Sequence, residues 1–531
     1  MKHKHLACLL LSGAMLLSLA ACGAQTAPAS SSASSSQSAG SQQSTPTQPN
    51  AEPQSTQVHL TLDSTAEEGL SKEICVRPDL LSVTENVDGL ERTWELYIPS
   101  TYDGSQAVPL LMALHGNGGP TMPMRSTWHL IAEREGFIVV YPQGIGGTWN
   151  IWDKNADGPN DTEFLDVVYD RVIEDYNIDE TRLYLTGQSM GDMMGSTYLF
   201  KHGDRIAAAA LTSGASLPSN LCNEDGELVV FPTISLPVIR THGTKDLLTG
   251  YPSTHGVSND DYNAVITPEE QLRLSQMIHG IMKKMWIDVN QVDETPALKL
   301  TTRSNYEIYT GQTDFVYETF VGMGHAMYAD TSEGLWNDFL KNYSRVDGKI
   351  VVSDVTVTPD EGCVALAVGS AQAYVDNKLV DLCSDSGIVT AEDESGVVYV
   401  PVTFLETAFP GTKVDVSAAG DTAVLTYGGQ EVQLACGQYM MLQDNHAVSI
   451  YAPYLEGQTM MVPVQDMAER VYGYHYLYQS GSIYLTDQDA VLSDDCALTI
   501  GIILGTRERP TADVAFELEC LERIQAHAAS K

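Results

Sequence analysis

The tightest constraint on the fold of this chain is a five-residue turn, Gly187-Gln188-Ser189-Met190-Gly191, between a predicted strand and a predicted helix. The strand covers Arg182–Thr186 and the helix covers Met190–His202. A strand that turns so sharply into a helix has room only for small residues around the serine, which accounts for the two glycines. We therefore expect the Ser189 hydroxyl to project from the carboxyl end of a sheet, with the helix N-terminus beneath it.

The segment around this turn alternates between strands and helices from about residue 70 to residue 345. The spacing of apolar residues predicts a second helix over Thr162–Tyr176. Further strands are predicted at Arg92–Ile98, Pro109–His115, Phe137–Tyr141, Ile206–Thr212, Pro237–His242 and Phe315–Val321. This alternation is typical of the α/β fold class, a mostly parallel sheet with helices on both faces.

A serine hydroxyl becomes a nucleophile only when a base removes its proton, and that base needs an acid to orient it. In an architecture of this type the chain order is serine, acid, histidine. His325 follows the strand Phe315–Val321 in a glycine-flanked loop, and Asp246 follows the strand Pro237–His242. Open α/β sheets carry their sites at the carboxyl ends of strands. The sequence thus predicts a catalytic set of Ser189, Asp246 and His325.

Other residues are candidates for the base and the acid. His242 and His255 are alternative bases, and Asp260 and Asp261 are alternative acids. His242 ends a predicted strand, where a histidine more often packs or anchors a loop. The two aspartates lie in a polar loop, where a solvated turn is the simpler interpretation. We prefer the set named above and keep these alternatives open.

Acyl transfer also needs donors that point at the developing oxyanion. The backbone N–H of Met190, directly after the nucleophile, is one candidate. The second is the N–H of Asn117, because a glycine-rich loop follows the strand Pro109–His115 and lets the backbone approach a substrate. His115, Trp149 and Trp152 are candidates for substrate binding, and core packing is the equally weighted alternative for the two tryptophans.

Four further segments follow a known pattern: Pro109–Gly116, Gly136–Pro142, Tyr176–Gly187 and Thr241–Asp246. Together with the turn, they resemble the α/β-hydrolase esterases grouped with polyhydroxybutyrate depolymerases, feruloyl esterases and acetylxylan esterases. The resemblance covers most of residues 71–346. It implies the α/β-hydrolase fold, with Ser189 as nucleophile, Asp246 as acid and His325 as base. It also implies hydrolysis of carboxylic esters through an acyl-enzyme, with no metal and no cofactor.

The chain departs from this family in two places. Asp192 stands where the family usually has a second glycine after the turn, and a carboxylate there could narrow the pocket or disfavour anionic substrates. A carboxylate is electrostatically tolerable at a helix start. The region 247–310 is less familiar, and we expect it to be a candidate lid that sets specificity.

The N-terminus carries a targeting signal. Two lysines precede the apolar stretch Leu6–Leu19, which is too short to span a bilayer as a mature helix. Leu19-Ala20-Ala21-Cys22 follows, and the whole resembles a bacterial lipoprotein signal peptide. That resemblance implies cleavage after residues 1–21 and a diacylglycerol on the Cys22 sulfur. Residues 22–70 are rich in Ser, Gln and Pro and read as a flexible tether. We expect an exported protein, lipid-anchored on the outer face of the bacterial cytoplasmic membrane.

From about residue 350 the chain changes to short strands with Gly and Asp turns, and its motifs repeat. Three motifs recur in the same order: Leu366–Gly369 as Leu434–Gly437, Tyr399–Val402 as Met461–Val464, and Ala423–Thr426 as Ile483–Thr486. Residues 350–490 therefore form a smaller strand-rich α+β module of two copies. They resemble the copper amine oxidase N-terminal-like "stalk" domain of bacterial exported proteins, which implies a spacer that contacts the cell wall or a protein. The module is not expected to bind copper, because the histidines after residue 350 are dispersed. Residues 491–531 are expected to be partly helical.

The chain is strongly acidic, with 29 Lys+Arg against 69 Asp+Glu and a formal net charge of −40. Nucleic acid binding needs clustered basic residues, so we do not expect nucleic acid to be a partner. The nine cysteines contain no CxxC pattern, so a zinc site is not expected. Export permits disulfides, but the sequence leaves their pairing open.

The leading interpretation is an extracellular serine esterase that acts on feruloyl or acetyl esters of polysaccharide, or on polyhydroxyalkanoate-like esters. A peptidase on the same fold is the first alternative, because fold alone does not separate amide from ester hydrolysis. The second is a non-catalytic cell-surface binding protein with a vestigial hydrolase domain. The candidate set Ser189, Asp246 and His325 argues against the second alternative.

Overall fold

The computed structural model describes residues 57–58, 74–75, 80–119, 122–153, 157–222, 227–228, 235–246, 267–354, 357–384, 387–510 and 515–529. The chain divides into two compact units, Met1–Asp79 with Pro252–Val265 and Leu80–Tyr251 with Ile266–Lys531. In the first unit, β1 (Gln57–Val58) pairs antiparallel with β2 (Ile74–Cys75). The predicted signal peptide, Cys22 and most of the predicted tether lie outside the described residues.

Ten strands of the second unit form one mixed sheet. In chain order they are β3 (Leu81–Val87), β4 (Leu90–Tyr97), β5 (Val108–Leu114), β6 (Ile138–Gln143), β7 (Ile178–Gln188), β8 (Ala208–Thr212), β9 (Val238–Gly243), β10 (Ala297–Leu300), β11 (Ser304–Tyr309) and β12 (Phe315–Phe320). Their order across the sheet is β10-β11-β12-β9-β8-β7-β5-β6-β4-β3.

The strand directions identify the fold. The six strands β6, β5, β7, β8, β9 and β12 run parallel to one another. The strands β3 and β4 are antiparallel at one edge, and β10 and β11 are antiparallel at the other. A parallel centre of this order, with the sharp turn directly after β7, is the arrangement of the α/β-hydrolase fold. The predicted fold class is confirmed.

Helices cover both faces of this sheet because its central strands bury side chains on both sides. The helices are α1 (Met122–Glu135), α2 (Asp161–Asp175), α3 (Met190–His202), α4 (Pro268–Asn290) and α5 (Ala329–Gly334), which continues into a π-helical turn at Leu335–Phe339. Along β5, Leu110, Met112 and Leu114 face the helices α2, α3 and α4. The alternate residues Leu111 and Ala113 face α1 and the π-helical turn.

The described part of the candidate lid belongs to the body of the domain. Residues 247–266 are not described, but α4 buries one face in the core, including Met282, Met285 and Trp286. β10 and β11 then extend the main sheet as its outermost strands. The expectation of a lid therefore does not hold for residues 268–309, which are structural.

The C-terminal module contains three antiparallel sheets, preceded by the hairpin β13 (Tyr343–Val346) and β14 (Lys349–Val352). The strands are β15 (Val364–Ala367), β16 (Gln372–Val375), β17 (Lys378–Asp381), β18 (Ala391–Glu392), β19 (Val398–Pro401), β20 (Lys413–Val416), β21 (Thr422–Tyr427), β22 (Gln430–Ala435), β23 (Met440–Gln443), β24 (His446–Ser449), β25 (Tyr454–Glu456), β26 (Thr459–Pro463), β27 (His475–Gln479) and β28 (Ser482–Thr486). Short helices α6 (Leu405–Ala408) and α7 (Val464–Met467) follow β19 and β26.

The two sequence copies of the module interlock. The first copy supplies β15, β19 and β21, and the second supplies β22, β26 and β28. β15 pairs with β28, β19 pairs with β26, and β21 pairs with β22, all antiparallel. The first strand of each copy thus pairs with the third strand of the other, and the middle strands pair together. Each copy completes its sheets only with the strands of the other.

The module joins the edge of the main sheet through backbone and side-chain hydrogen bonds. The N–H of Leu298 in β10 donates to Asn377 Oδ1 at 2.7 Å, and the N–H of Leu300 donates to Asp360 Oδ2 at 2.8 Å. Tyr374 donates from its hydroxyl to the Pro296 carbonyl at 2.9 Å. These contacts cover an edge strand that would otherwise offer unpaired backbone groups.

The last described residues return to the main-sheet domain as two helices. α8 (Asp494–Ile503) packs between the module strands β15 and β28 and the sheet strand β11. α9 (Ala515–Ala529) packs on α4 and on the short 3-10 helix Pro218–Leu221. The part of the chain that the structure describes contains no helix long and apolar enough to cross a bilayer.

A buried ion pair at this junction generates a stability prediction. Lys283 Nζ lies 2.9 Å from Glu307 Oε1, and Thr499 of α8 donates to the same oxygen at 2.9 Å. Glu307→Ala leaves the lysine charge buried without its partner, so we expect a loss of about 3–5 kcal/mol in the free energy of unfolding. Urea denaturation measures it. Glu85→Ala, which breaks the more exposed pair with Arg171, should cost less than about 1 kcal/mol. Equal losses in the two variants would contradict the prediction.

Candidate active site

The turn after β7 holds Ser189 in a rare backbone conformation. Its φ is 59° and its ψ is −120°, between the last residue of β7 and the first of α3. A Cβ atom on Gly187 would collide with the Gly191 carbonyl, and one on Gly191 would collide with the Leu114 carbonyl. The tight packing explains why both flanking positions are glycine, as the sequence predicts. Strain of this kind persists only where the surrounding structure enforces it.

Three predicted residues come together at the carboxyl edge of the sheet. His325 Nε2 lies 2.8 Å from Ser189 Oγ. His325 Nδ1 lies 3.0 Å from Asp246 Oδ1 and 3.1 Å from its Oδ2. Asp246 and Ser189 are buried, and the His325 side chain is 19% exposed. Nucleophile, base and acid thus form one hydrogen-bonded chain, which is the arrangement that activates a serine hydroxyl.

The loops that carry the acid and the base are bonded to each other. Lys245 donates its N–H to the Met323 carbonyl at 2.9 Å, and Thr244 donates to the Phe320 carbonyl at 3.1 Å. Gly322 donates its N–H to Thr244 Oγ1 at 2.8 Å. Because β9 and β12 are parallel neighbours, these loops leave the same sheet edge. The backbone contacts therefore fix the separation of the acid and the base.

The environment of Asp246 favours its ionised form. Burial raises the pKa of this carboxyl, but the hydrogen bond from His325 and the charges of His325 and His242 outweigh burial, and the net pKa is lowered. An ionised acid accepts the Nδ1–H of the base and leaves Nε2 available for the serine.

The glycine-rich loop after β5 passes beside the nucleophile. A Cβ on Gly116 would lie 3.2 Å from Ser189 Cβ, so this backbone is in close contact with the turn. Gly118 has a φ of 97° and donates its N–H to the Gly147 carbonyl at 2.8 Å. Asn117 lies between these two glycines, and Met190 is the first residue of α3, whose first N–H groups have no partner within the helix. Met190 is therefore next to Ser189 in the chain, and Asn117 belongs to the loop whose Gly116 contacts the turn.

His115 and Trp149, candidates for substrate binding, are buried together behind this loop. Their rings stack at 4.6 Å. Trp149 donates its indole N–H to the His115 carbonyl at 2.8 Å, and Gly144 donates its N–H to His115 Nε2 at 2.9 Å. Burial lowers the pKa of His115 to about 4, which keeps the ring neutral and Nε2 an acceptor. The contacts of both side chains brace the loop that carries Asn117.

Trp152, the third candidate for substrate binding, is also in the interior. Its backbone N–H lies 3.3 Å from Thr197 Oγ1, and its ring packs 5.9 Å from that of Phe200, both residues of α3. It therefore supports the helix behind the nucleophile. Core packing was the equally weighted interpretation for Trp149 and Trp152, and both side chains pack in the core.

Asp192 does not face the pocket. Its carboxylate is fully buried and receives Arg240 Nη2 at 2.6 and 2.7 Å. Gly214 also donates its N–H to this carboxylate at 3.1 Å, and a Cβ there would collide with the aspartate side chain. The expectation that Asp192 narrows the pocket or repels anions is therefore wrong. The sequence offered a signal for the ion pair in Arg240, a charged residue directly after the apolar Val238 and Ile239 of a predicted strand.

The alternative bases and acids are placed differently. His242 lies within β9 with its ring 3.7 Å from that of His279, and burial lowers the pKa of both. His255, Asp260 and Asp261 lie outside the described residues. Groups of three or more His, Cys, Asp or Glu side chains placed to hold a metal ion are absent from the described part of the chain.

Comparison with known proteins gives one family model and several similar proteins. Residues 389–481 match the family model of the copper amine oxidase N-terminal domain, in agreement with the predicted module. The chain is 34% identical over 172 residues to a bifunctional acetylxylan esterase/xylanase of Neocallimastix patriciarum, covering 32% of this chain and 23% of the relative. It is 25% identical over 195 residues to a probable feruloyl esterase C of Aspergillus terreus, covering 35% of this chain and 69% of the relative.

An acetylxylan esterase of Coprinopsis cinerea is 26% identical over 248 residues, covering 43% of this chain and 64% of the relative. The chain thus spans about a quarter of the first of these relatives and about two thirds of the other two. All three are esterases by name.

Solved structures similar to this chain include an acetyl xylan esterase from Aspergillus awamori, with a TM-score of 0.35, 18% identity, and coverage of 48% of this chain and 97% of that one. The poly(3-hydroxybutyrate) depolymerase LpqC from Bordetella parapertussis has a TM-score of 0.36 and 13% identity, with coverage of 49% and 89%.

The buried pair behind the turn makes a testable prediction. Asp192→Ala leaves the Arg240 charge buried and unpaired, so we expect a loss of about 3–5 kcal/mol in the free energy of unfolding. Asp170→Ala is the matched control, because Asp170 is 61% exposed in its pair with Arg205 and should cost less than about 1 kcal/mol. Chemical denaturation of both variants measures the difference, and a small loss in Asp192→Ala would contradict a supporting role for the pair.

The neutral state of His115 predicts a pH dependence. Its folded pKa of about 4 lies below the ordinary value of 6.5. Between these two pH values the unfolded chain binds a proton at this residue and the folded protein does not. The free energy of unfolding is therefore highest above about pH 6.5 and falls as the pH decreases towards 4. The decrease in the free energy of unfolding due to His115 is on the order of 3 kcal/mol.

We expect His115→Gln to flatten the fall in unfolding free energy between pH 6.5 and pH 4. His129 has a similarly lowered pKa of about 4, so a residual slope should remain. Denaturation at a series of pH values measures the slopes, with His446→Gln in the module as an exposed control. A slope equal to that of the unsubstituted protein would overturn the assignment.

Proposed function

We propose that this protein is a serine esterase that cleaves carboxylic esters through an acyl-enzyme. The observation that carries the proposal is the hydrogen-bonded chain from Ser189 through His325 to Asp246, with distances of 2.8 and 3.0 Å. The names of the relatives, which are esterases, support the same reaction class.

In the first half of the reaction, Ser189 Oγ attacks the ester carbonyl while His325 Nε2 takes the hydroxyl proton. The carbonyl oxygen gains negative charge, and we assign the N–H groups of Asn117 and Met190 as the donors that stabilise it. Asp246 holds the imidazolium through Nδ1. The tetrahedral adduct then expels the alcohol, which receives the proton from His325, and the acyl group remains on Ser189.

In the second half, a water molecule replaces the alcohol. His325 removes a proton from this water, which attacks the acyl carbonyl, and the same backbone donors stabilise the second oxyanion. Collapse of the adduct returns the proton to Ser189 Oγ and releases the carboxylic acid. Both halves use the same five residues, so no residue outside the site has to move a proton.

The substrate class we propose is an acetyl or feruloyl ester on polysaccharide. The names of the relatives support it, since they are acetylxylan and feruloyl esterases. A polymer of this size cannot enter a cell, which agrees with the proposed export and lipid anchoring at Cys22. The C-terminal module would then hold the enzyme against the cell wall or another surface protein.

The first experiment measures hydrolysis of 4-nitrophenyl acetate and methyl ferulate by residues 23–531 and by variants. Removing the nucleophile in Ser189→Ala should lower kcat by several orders of magnitude. Asp246→Asn should lower kcat by about 10⁴-fold, because the base loses its orienting acid. Ser344→Ala, in the hairpin strand β13 away from the turn, is the matched control and should keep full activity.

A fluorophosphonate probe separates the remaining outcomes. Labelling of the unsubstituted protein but not of Ser189→Ala, together with turnover of either ester, supports the esterase. Labelling without turnover of any ester favours a peptidase. Folded protein that neither labels nor turns over overturns the catalytic proposal and favours the binding protein. The ratio of the two ester rates then indicates which acyl group the site accepts.

A further inference from the structure

The C-terminal helix α9 is held on the catalytic domain by a polar contact that fixes its register. Ser219, in the 3-10 helix Pro218–Leu221, donates its backbone N–H to Glu517 Oε2 at 2.8 Å. Its hydroxyl donates to the other oxygen of the same carboxylate. Leu521 and Ile524 of α9 bury themselves in the main core cluster. One serine and one glutamate thus align two elements that are 298 residues apart in sequence.

Two cysteines lie close in sequence to the residues of this polar contact. Cys222 follows Ser219 by three residues, and Cys520 follows Glu517 by three residues. Cys222 directly follows the 3-10 helix, and its N–H donates to the Ser219 carbonyl at 3.3 Å, which keeps it beside Ser219. Cys520 lies one turn after Glu517 on the same face of α9. The polar contact therefore sets the two thiols opposite each other, and they lie within hydrogen-bonding reach.

Both thiols are shielded from solvent. The exposed fraction is 9% for Cys222 and 0% for Cys520. Burial raises the pKa of each thiol. The hydrogen bond between the two thiols lowers the pKa of Cys222 and raises the pKa of Cys520. Neither group is therefore suited to act as a nucleophile on a substrate, and the reaction proposed above does not use them. Two adjacent buried thiols can be oxidised to a disulfide bond.

We propose that Cys222 and Cys520 form a disulfide that fastens the C-terminal helix to the catalytic domain. The oxidant is a small-molecule or protein disulfide, and the step is thiol–disulfide exchange. Each of the two cysteines gives up a proton, one sulfur–sulfur bond forms between them, and the bond of the oxidant breaks to release two thiols. The reaction moves two electrons to the oxidant and needs no metal.

The consequence is a large constraint on the unfolded chain, because the bond closes a loop of about 300 residues that contains the whole module. Loop-closure entropy grows with loop length, so a bond of this span should raise resistance to denaturant more than a local one. It should act without contact to Ser189, and activity of the folded protein should not depend on it. The proposal stands independently of the esterase function.

The test compares the purified protein equilibrated with oxidised glutathione and with dithiothreitol. After free thiols are blocked with N-ethylmaleimide under denaturing conditions, protease digestion and mass spectrometry should show one peptide pair joined through Cys222 and Cys520. The oxidised sample should also unfold at a higher urea concentration than the reduced sample. Cys520→Ala should abolish both effects, and Cys436→Ala, in the module, should leave both intact.

The result that overturns the proposal is the absence of this joined peptide pair in the oxidised, folded protein, with both cysteines recovered as N-ethylmaleimide or glutathione adducts. Pairing of either cysteine with a different cysteine overturns it as well. Should Cys520→Ala fail to fold, Cys222→Ser removes the bond from the other side and tests the same difference between oxidised and reduced samples.

Discussion

The ion pair between Asp192 and Arg240 is the contact on which the geometry of the site depends. One partner lies on the helix that begins at the nucleophile, and the other lies on the strand whose end carries the acid. Two charges removed from water are stable only when they meet in good geometry and have further hydrogen bonds. A backbone N–H and a serine hydroxyl supply those bonds here. Helix and strand cannot slide past each other without breaking this set, so Ser189 and Asp246 keep the separation that His325 bridges.

A second set of contacts fixes the position of the glycine-rich loop after β5, which carries the proposed oxyanion donor Asn117. His115 and Trp149 are stacked and hydrogen-bonded beneath it, and Gly147 accepts a hydrogen bond from its backbone. These two buried rings restrict the movement of the loop. Preorganised donors stabilise an oxyanion because they need no rearrangement when the charge appears. The reactive groups of this protein are therefore few, and most of the surrounding side chains hold them in position.

Much of this architecture can be predicted from the sequence, because local patterns specify it. Strand–helix alternation gives the sheet, and residues that follow parallel strands must meet at one edge, which brings Ser189, Asp246 and His325 together. Local patterns do not state what a side chain packs against. The partner of Asp192 lies 48 residues away, so a carboxylate near the turn looked like part of the pocket. For the same reason the sequence showed the repeats of the module but not the pairing of strands between the two copies. It also gave no signal that the C-terminal helix returns to the main-sheet domain.

The strand exchange in the module also determines how the module is connected. The chain enters it through the strand that contains Val364 and leaves through the strand that contains Leu485, and these two residues are paired neighbours in one sheet. After this exit, the remaining residues rejoin the catalytic domain as helices. Insertions with adjacent entry and exit points disturb a host domain little. The module is thus an insertion whose two connections to the α/β-hydrolase fold leave from neighbouring strands of one sheet.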